Sequence, residues 1–245
     1  MKKCLLILFA SVFLNYVSFA QINLNKSVNK AKKEANKILN PSKALSNQEV
    51  VSGLKEALTI GTNNSSAAAS KLDGFNKNPQ IKIPFPSEAI KVKNTMEDLG
   101  MKSQVDKFVL TLNRAAEEAS KDAAPIFINA VKSMSIGDGF TILKGSDDAA
   151  TVYLKDKTSV ELKQKFKPVV KNAIQKVEVT KYWNPLITKY NQLPGVQKMN
   201  PDLDEYITQK TMEGLFKLVA QEELKIRKDP VARVTDLLKK VFGGK

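Results

Sequence analysis

Histidine is absent from all 245 residues of the chain. With it go Ser-His-Asp and Cys-His relays, imidazole-ligated metals and histidine pH switches. The single cysteine, Cys4, stands in the N-terminal apolar run. The rest of the chain therefore has no thiol nucleophile, no disulfide framework and no cysteine-bound metal. Gly137, Gly139 and Gly145 follow no strand and precede no Gly-Lys-Ser/Thr, so they make no phosphate loop. No fixed-period repeat is present. After Ala20 no stretch stays apolar over the ~20 residues that a bilayer crossing needs, so no integral span is expected there. Neither a cofactor nor a metal is expected.

The first twenty residues follow the pattern of a leader. Met1-Lys2-Lys3 precedes a run from Cys4 to Leu14 that is apolar apart from Ser11, and Asn15 ends it. Ser18 and Ala20 supply small residues at the −3 and −1 positions of a cut before Gln21. Residues 1–20 are therefore expected to be a secretory signal peptide, and the protein to be periplasmic. Cys4 stands at the start of the apolar run rather than after it, which does not fit a lipoprotein anchor. Formal net charge is +14, a balance that suits anionic lipid or another acidic envelope polymer. Export argues against nucleic acid as the partner. Residues 21–44 read as a basic arm or linker, with Lys26, Lys30, Lys32, Lys33, Lys37 and Lys43 set against the lone Glu34. Val28, Ala31, Ala35 and Ile38 give the arm a thin apolar stripe, so residues 21–43 are either a solvated linker or a basic surface helix that contacts anionic lipid or another envelope component.

Residues 45–245 are expected to form one all-α domain of about eight or nine helices, with one short extended segment near 80–86. Ser46-Asn47-Gln48-Glu49 is a capping box for a helix carrying Val50, Val51, Leu54 and Leu58. Residues 62–69 either prolong that helix or loop out. Ile81, Ile83 and Phe85 alternate with polar residues, but Pro84 and Pro86 exclude a central strand, so an extended crossover onto the core is expected. A short helix over Ser87–Leu99 stops at Gly100. Val105, Phe108, Val109, Leu112, Ala116, Ala119 and Ala123 predict one long amphipathic helix, which Pro125 breaks or restarts. Ser135-Ile136-Gly137-Asp138 and Ser146-Asp147-Asp148 read as N-caps, and Gly145 as a stop. Thr158-Ser159-Val160-Glu161 reads as a second capping box, with a kink or break at Pro168. Tyr182 to Tyr190 is an aromatic helix, and Asp202 to Ile226 a long one. Asp229-Pro230 is expected to open a last amphipathic helix through Val231, Val234, Leu237, Leu238, Val241 and Phe242.

The polar residues that stand out are Asn113, Arg114, Glu117, Asp147, Asp148, Glu222, Arg227, Arg233 and Asp236. Arg114 points away from Leu112 by helical phase. It either lies on a solvated face with i,i+3 and i,i+4 partners or binds a carboxylate in a second packed layer. Asp138, Asp147 and Asp148 are acids of helix starts rather than a cation loop, since no EF-hand spacing surrounds them. Glu222 falls at the centre of the stripe Leu203, Ile207, Leu215, Leu218, Val219 and Ile226, with Glu223 nearer its edge. A carboxylate at Glu222 is expected either to be buried against Arg227, Arg233 or Arg114 or to line a cleft.

Several runs resemble DUF4197, a bacterial family of unknown function. They are Asn113-Arg114-Ala115-Ala116-Glu117, Gly145-Ser146-Asp147-Asp148-Ala149-Ala150-Thr151, Glu213-Gly214-Leu215-Phe216, and Asp229-Pro230-Val231-Ala232-Arg233 with Thr235-Asp236-Leu237-Leu238. Leu54-Lys55-Glu56-Ala57-Leu58 and Asp73-Gly74-Phe75 also fit, so the resemblance spans residues 45 to 243. Val231 and Val234 depart from it, standing where smaller or polar residues are expected. The resemblance implies an exported bacterial protein and carries no activity, cofactor or catalytic residue. Three functional readings follow. The first is a non-enzymatic binding or scaffolding protein for an apolar or anionic envelope component, held in a groove between helices. Its rival is a hydrolase working with carboxylates and arginine alone. The third is a subunit of a larger envelope assembly.

Overall fold

A computed structural model of the protein describes residues 45–137 and 139–243. The expected signal peptide over residues 1–20 and the expected basic arm over residues 21–44 lie outside the described residues. Among the described residues the secondary structure is helical throughout, with no strand. The elements are α1 (Asn47–Ala69), a 3-10 turn (Ser87–Ala89) running into α2 (Ile90–Asp98), α3 (Lys102–Ser120) and α4 (Ala123–Ser133). After these come α5 (Gly139–Lys144), α6 (Ala149–Lys176), α7 (Val179–Asn191), α8 (Leu203–Lys228), a second 3-10 turn (Pro230–Ala232) and α9 (Asp236–Phe242). The all-α expectation holds.

α8 is the centre of the packing. It lies against α1 on one side and α6 on another, and it also meets α3. α1 runs on through residues 62–69 because Gly61, Ser65, Ser66 and Ala69 are small enough to let α8 approach. A Cβ on Gly61 would stand 3.3 Å from Glu222 Cβ. The capping box starts the helix as expected, with Glu49 N donating to Ser46 Oγ at 3.2 Å and Ser46 N to Glu49 Oε2 at 2.9 Å. Two aromatic groups fill the core. Phe108 lies 5.2 Å from Phe85 and 4.8 Å from Trp183, and Phe127 lies 5.2 Å from Phe216 and 6.3 Å from Phe166, between ring centroids. Burial of such rings, each worth about 1.5–3 kcal/mol, is the main stabilising term.

Residues 81–86 form the expected crossover, with Ile81, Ile83 and Phe85 buried. No neighbouring strand pairs with this backbone. Asn113 takes that part, accepting from Ile83 N at 2.8 Å and donating to Ile83 O at 2.9 Å. The buried amide groups are thereby satisfied from a helix.

Two expectations about boundaries fail. No new helix starts at Thr158, and of the kink or break open at Pro168 the break does not occur, since α6 continues through it. Thr158 Oγ1 donates back to Leu154 O at 2.6 Å, and Ser159 Oγ donates to Lys155 O, so both hydroxyls serve their own helix instead of capping another. Leu154, Thr158, Leu162, Phe166 and Val170 then make one continuous buried face. At the other end, Asp229-Pro230 opens only a 3-10 turn, and the last helix starts at Thr235, whose side chain accepts from Leu238 N. The reason is Arg233. Its guanidinium donates to Ile226 O and Arg227 O, both at 2.9 Å, turning the chain back to close the end of α8. Val231 and Val234 are left 84% and 66% exposed instead of lining a helix.

Candidate functional site

Asn113, Arg114 and Glu117 meet the loop that follows α1. Asp73 adopts a left-handed backbone at φ 66°, a conformation that aspartate tolerates better than most residues. This turn brings Phe75 N and Asn76 N to Glu117 Oε1, both at 3.1 Å. Arg114 donates to Glu117 Oε2 at 2.6 Å and to Asp73 Oδ1 at 2.8 Å. Of the two arrangements open for Arg114, the second packed layer is the one that forms. Lys77, Asn76 and Arg114 all donate to Asp73 and hold its carboxyl well below the usual carboxylate range. With two amides and a guanidinium on it, Glu117 fastens residues 73–76 to α3, and with Arg114 it borders a shallow cleft of about 220 Å³.

A second node joins four helices. Glu223 is 1% exposed. Its Oε1 accepts from Ala150 N at 3.0 Å, and its Oε2 from Thr151 N at 2.8 Å and Thr151 Oγ1 at 2.6 Å. It thus caps the start of α6, where Asp148 holds the cap position without a side-chain cap bond. Arg227 donates to Glu223 through Nε at 2.8 Å and Nη2 at 2.7 Å. The same guanidinium reaches Leu143 O at 2.7 Å and Ile142 O at 3.2 Å at the end of α5, and it lies 5.7 Å from the Phe242 ring of α9.

Glu222 is therefore not the buried partner of an arginine. Its side chain is 18% exposed, it pairs with Lys225, and it accepts from Asn64 Nδ2 of α1 at 2.7 Å. The apolar residues alone put the centre of the stripe at Glu222. α8 is covered from two sides, so its buried arc is wider than those residues show, and the row Met212, Phe216, Val219, Glu223, Arg227 is as enclosed as the row they mark. Sequence reasoning passed over Glu223. The signal that finds it is the i,i+4 pair Glu223–Arg227 in register with Phe216 and Val219.

The remaining candidates do not join either node. Asp147 meets Lys228 at 3.1 Å, and Asp148 accepts from Ser146 Oγ at 2.7 Å. Asp236 is exposed at the start of α9 beside Lys239. Among the described residues, no three acids or thiols come together as metal ligands do. Asp138 lies outside the described residues. Its neighbours are bracketed by Asn47, which donates to Gly137 O at 3.1 Å and accepts from Gly139 N at 2.8 Å.

Two clefts flank α8. One, of about 240 Å³, lies between α6 and α8 and is lined by Lys155, Ser159, Lys163, Gln209, Met212, Glu213 and Phe216. The other, of about 270 Å³, lies between residues 80–84 and α8, with Lys82, Lys210, Glu213, Gly214 and Lys217 in its walls. Glu213 borders both. It pairs with Lys210 at 2.8 Å and accepts from Gln209 Nε2 at 2.9 Å.

The family described as protein of unknown function, DUF4197, matches residues 44–243. The chain belongs to that family. No curated protein and no solved structure matches it. Of the runs that resemble the family, residues 73–75, 113–117 and 145–151 fall on the two nodes and residues 213–216 on the α8 clefts. Gly214 is explained by close approach, since a Cβ there would stand 2.8 Å from Phe75 Cε1. Gly145 is explained likewise by Ala149 Cβ at 2.9 Å. No described helix is long and apolar enough to cross a membrane.

Proposed function

We propose that this DUF4197 protein is exported to the periplasm and binds, without catalysis, an anionic amphiphile of the cell envelope in the groove between α6 and α8. One observation carries the reading. Met212 and Phe216 give the groove an apolar floor, and Lys155 and Lys163 stand at its rim with Ser159 and Gln209. Methionine adapts to irregular apolar chains, and a lysine rim places charge where an anionic headgroup would emerge. Lys163 is shared with Glu205, while Lys155 has no ion-pair partner among the described residues. At about 240 Å³ the groove is smaller than the ~300–1,000 Å³ that encloses a whole ligand. It takes a stretch of chain and leaves the rest outside, in keeping with a carrier that docks at a lipid surface through the basic arm over residues 21–43. The hydrolase reading gains nothing from the most enclosed acids, because Glu117 and Glu223 are each occupied by amide and guanidinium donors.

The test is calorimetric titration of the purified protein with dodecyl phosphate below its micelle concentration, with dodecanol as the uncharged comparison. Saturable binding of the phosphate that Lys155→Glu weakens by about fivefold or more, ~1 kcal/mol, is expected. Equal binding of dodecanol, or indifference to Lys155→Glu, would remove the headgroup from the account. Export is checked separately by sequencing the N-terminus of the protein from fractionated cells. The expected start is Gln21 in the periplasmic fraction, and Met1 retained in washed membranes refutes it.

A further inference from the structure

The cleft on the other side of α8 has a different chemistry. Lys82, Lys210 and Lys217 converge on it from two elements, and Glu213 is the one acid in its wall. Their positions follow from the fold. Ile81 and Ile83 are buried, so the alternation of extended backbone turns Lys82 outward between them. That backbone is held firmly, since Asn113 pins Ile83 and Tyr206 Oη donates to Pro84 O at 3.0 Å. On α8, Lys217 Nζ donates to Gln80 O at 3.1 Å. A carbonyl holds that ammonium in place without neutralising it, and Lys82 has no ion-pair partner among the described residues. Three ammonium groups against one carboxylate leave the cleft with an excess of positive charge that the protein itself does not cancel.

We infer that this cleft is a second binding site, for a phosphate-type oxyanion, formed by Lys82, Lys210 and Lys217. Lysines without arginine favour that class. A planar carboxylate is recognised best by the flat fork of a guanidinium, whereas point charges from several directions suit a tetrahedral oxyanion with many acceptor oxygens. Holding two of the lysines in place before binding lowers the ordering cost. Glu213 is the internal competitor, because it occupies Lys210 in the empty cleft. This cleft is lined from α8 and residues 80–84 rather than from α6 and α8, so either site stands if the other fails.

The experiment is titration of the protein purified from cells expressing the full chain with inorganic phosphate at low ionic strength, followed by phosphorus NMR. Lys82→Ala with Lys217→Ala is compared with Lys107→Ala with Lys189→Ala, a pair that removes the same charge from exposed, unpaired positions elsewhere. The cleft pair should weaken binding by about tenfold and the control pair by less than about twofold. Glu213→Gln, which frees Lys210, should tighten binding more than Glu161→Gln, which removes an acid on the surface of α6. Equal losses from both lysine pairs, or equal gains from both glutamine variants, would show that phosphate reads only net charge and would overturn the site. Glycerol phosphate and phosphatidylglycerol vesicles are then added as competitors. Displacement by vesicles marks a lipid headgroup as the source, and displacement by glycerol phosphate alone marks a soluble ester. Failure of both to displace bound phosphate counts against the site.

Discussion

Replacing Glu223 with alanine removes the acceptor of four donors at once: Ala150 N, Thr151 N, Thr151 Oγ1 and the Arg227 guanidinium. The Arg227 side chain is 3% exposed, so its charge would be left in the interior with the Ile142 and Leu143 carbonyls and the Phe242 ring but no counter-charge. Breaking a buried pair by deleting one member costs about 3–5 kcal/mol. Glu223→Gln keeps the volume, yet its NH2 group would face a donor whichever way the amide turns, and the charge opposite Arg227 is gone. It is expected to recover less than half of that loss. Glu223→Leu with Arg227→Met removes both charges and should cost markedly less than the two single losses added, with a coupling of about 0.5–3 kcal/mol. Trp183 is the only tryptophan and is buried beside Phe85 and Phe108, so its emission reports global unfolding in urea without a second emitter. Glu222→Ala is the internal comparison. That side chain is partly exposed and bonded to Asn64 and Lys225, and its loss should cost about 1 kcal/mol. If Glu222→Ala proves the more damaging of the two, the placement of α8 between α1 and α6 is wrong.

Three further outcomes are expected from the same geometry. Asn113→Ala strands Ile83 N and Ile83 O at about 1–3 kcal/mol for each group, and should open residues 71–86 to limited proteolysis ahead of global unfolding. Gly214→Ala sets a Cβ 2.8 Å from Phe75 Cε1 and should cost about 1–3 kcal/mol in urea melts, a loss that Phe75→Leu partly relieves in the double variant. Glu49 is held down to about 2 from 4.5 chiefly by Lys240, at 2.5 Å, and then by Ser46. Because the folded value is the lower one, the stability it contributes is complete above about 4.5 and is lost as pH falls through about 2. Glu49→Gln should flatten the acid limb of the stability profile in that window and leave its shape unchanged near neutrality.

The helices were legible where one face is buried and the punctuation is local. Ser46 with Glu49, Asp202 before Leu203 and Gly100 after α2 each act within a few residues of themselves, and each expected boundary appears. Boundaries failed where a polar side chain had more than one backbone partner within reach. Nothing near Thr158 reveals that its hydroxyl will turn back to Leu154 O, and nothing near Asp229 reveals that Arg233 will close α8 from outside. The polar nodes were half legible for another reason, which is sequence separation. Asn113, Arg114 and Glu117 stood out together, but their partners Asp73, Phe75 and Ile83 are 30 to 42 positions away. Glu223 was passed over because apolar residues alone locate one buried stripe, and α8 has two neighbours to satisfy.

The polar residues of α8 divide by the direction they face, and that division separates stability from binding. Glu223 and Arg227 face inward and fasten α5, α6 and α9 to the helix that carries them. Glu213 faces outward at 42% exposure, and its bonds go to Lys210 and Gln209 of its own helix. Nothing in the packing depends on it, so Glu213→Ala should stay within about 0.5 kcal/mol of the parent. It nevertheless borders both clefts and is the acid that offsets their lysines. A substitution there should therefore change anion binding while the melt stays put, whereas Glu223→Ala should lower the melt by roughly 6–20 °C and alter binding only as the folded fraction falls. Parallel melts and phosphate titrations of these two variants distinguish the roles. Loss of stability at Glu213 would mean that the clefts are packing defects filled by its ion pair, and that the lysines around them are merely solvated.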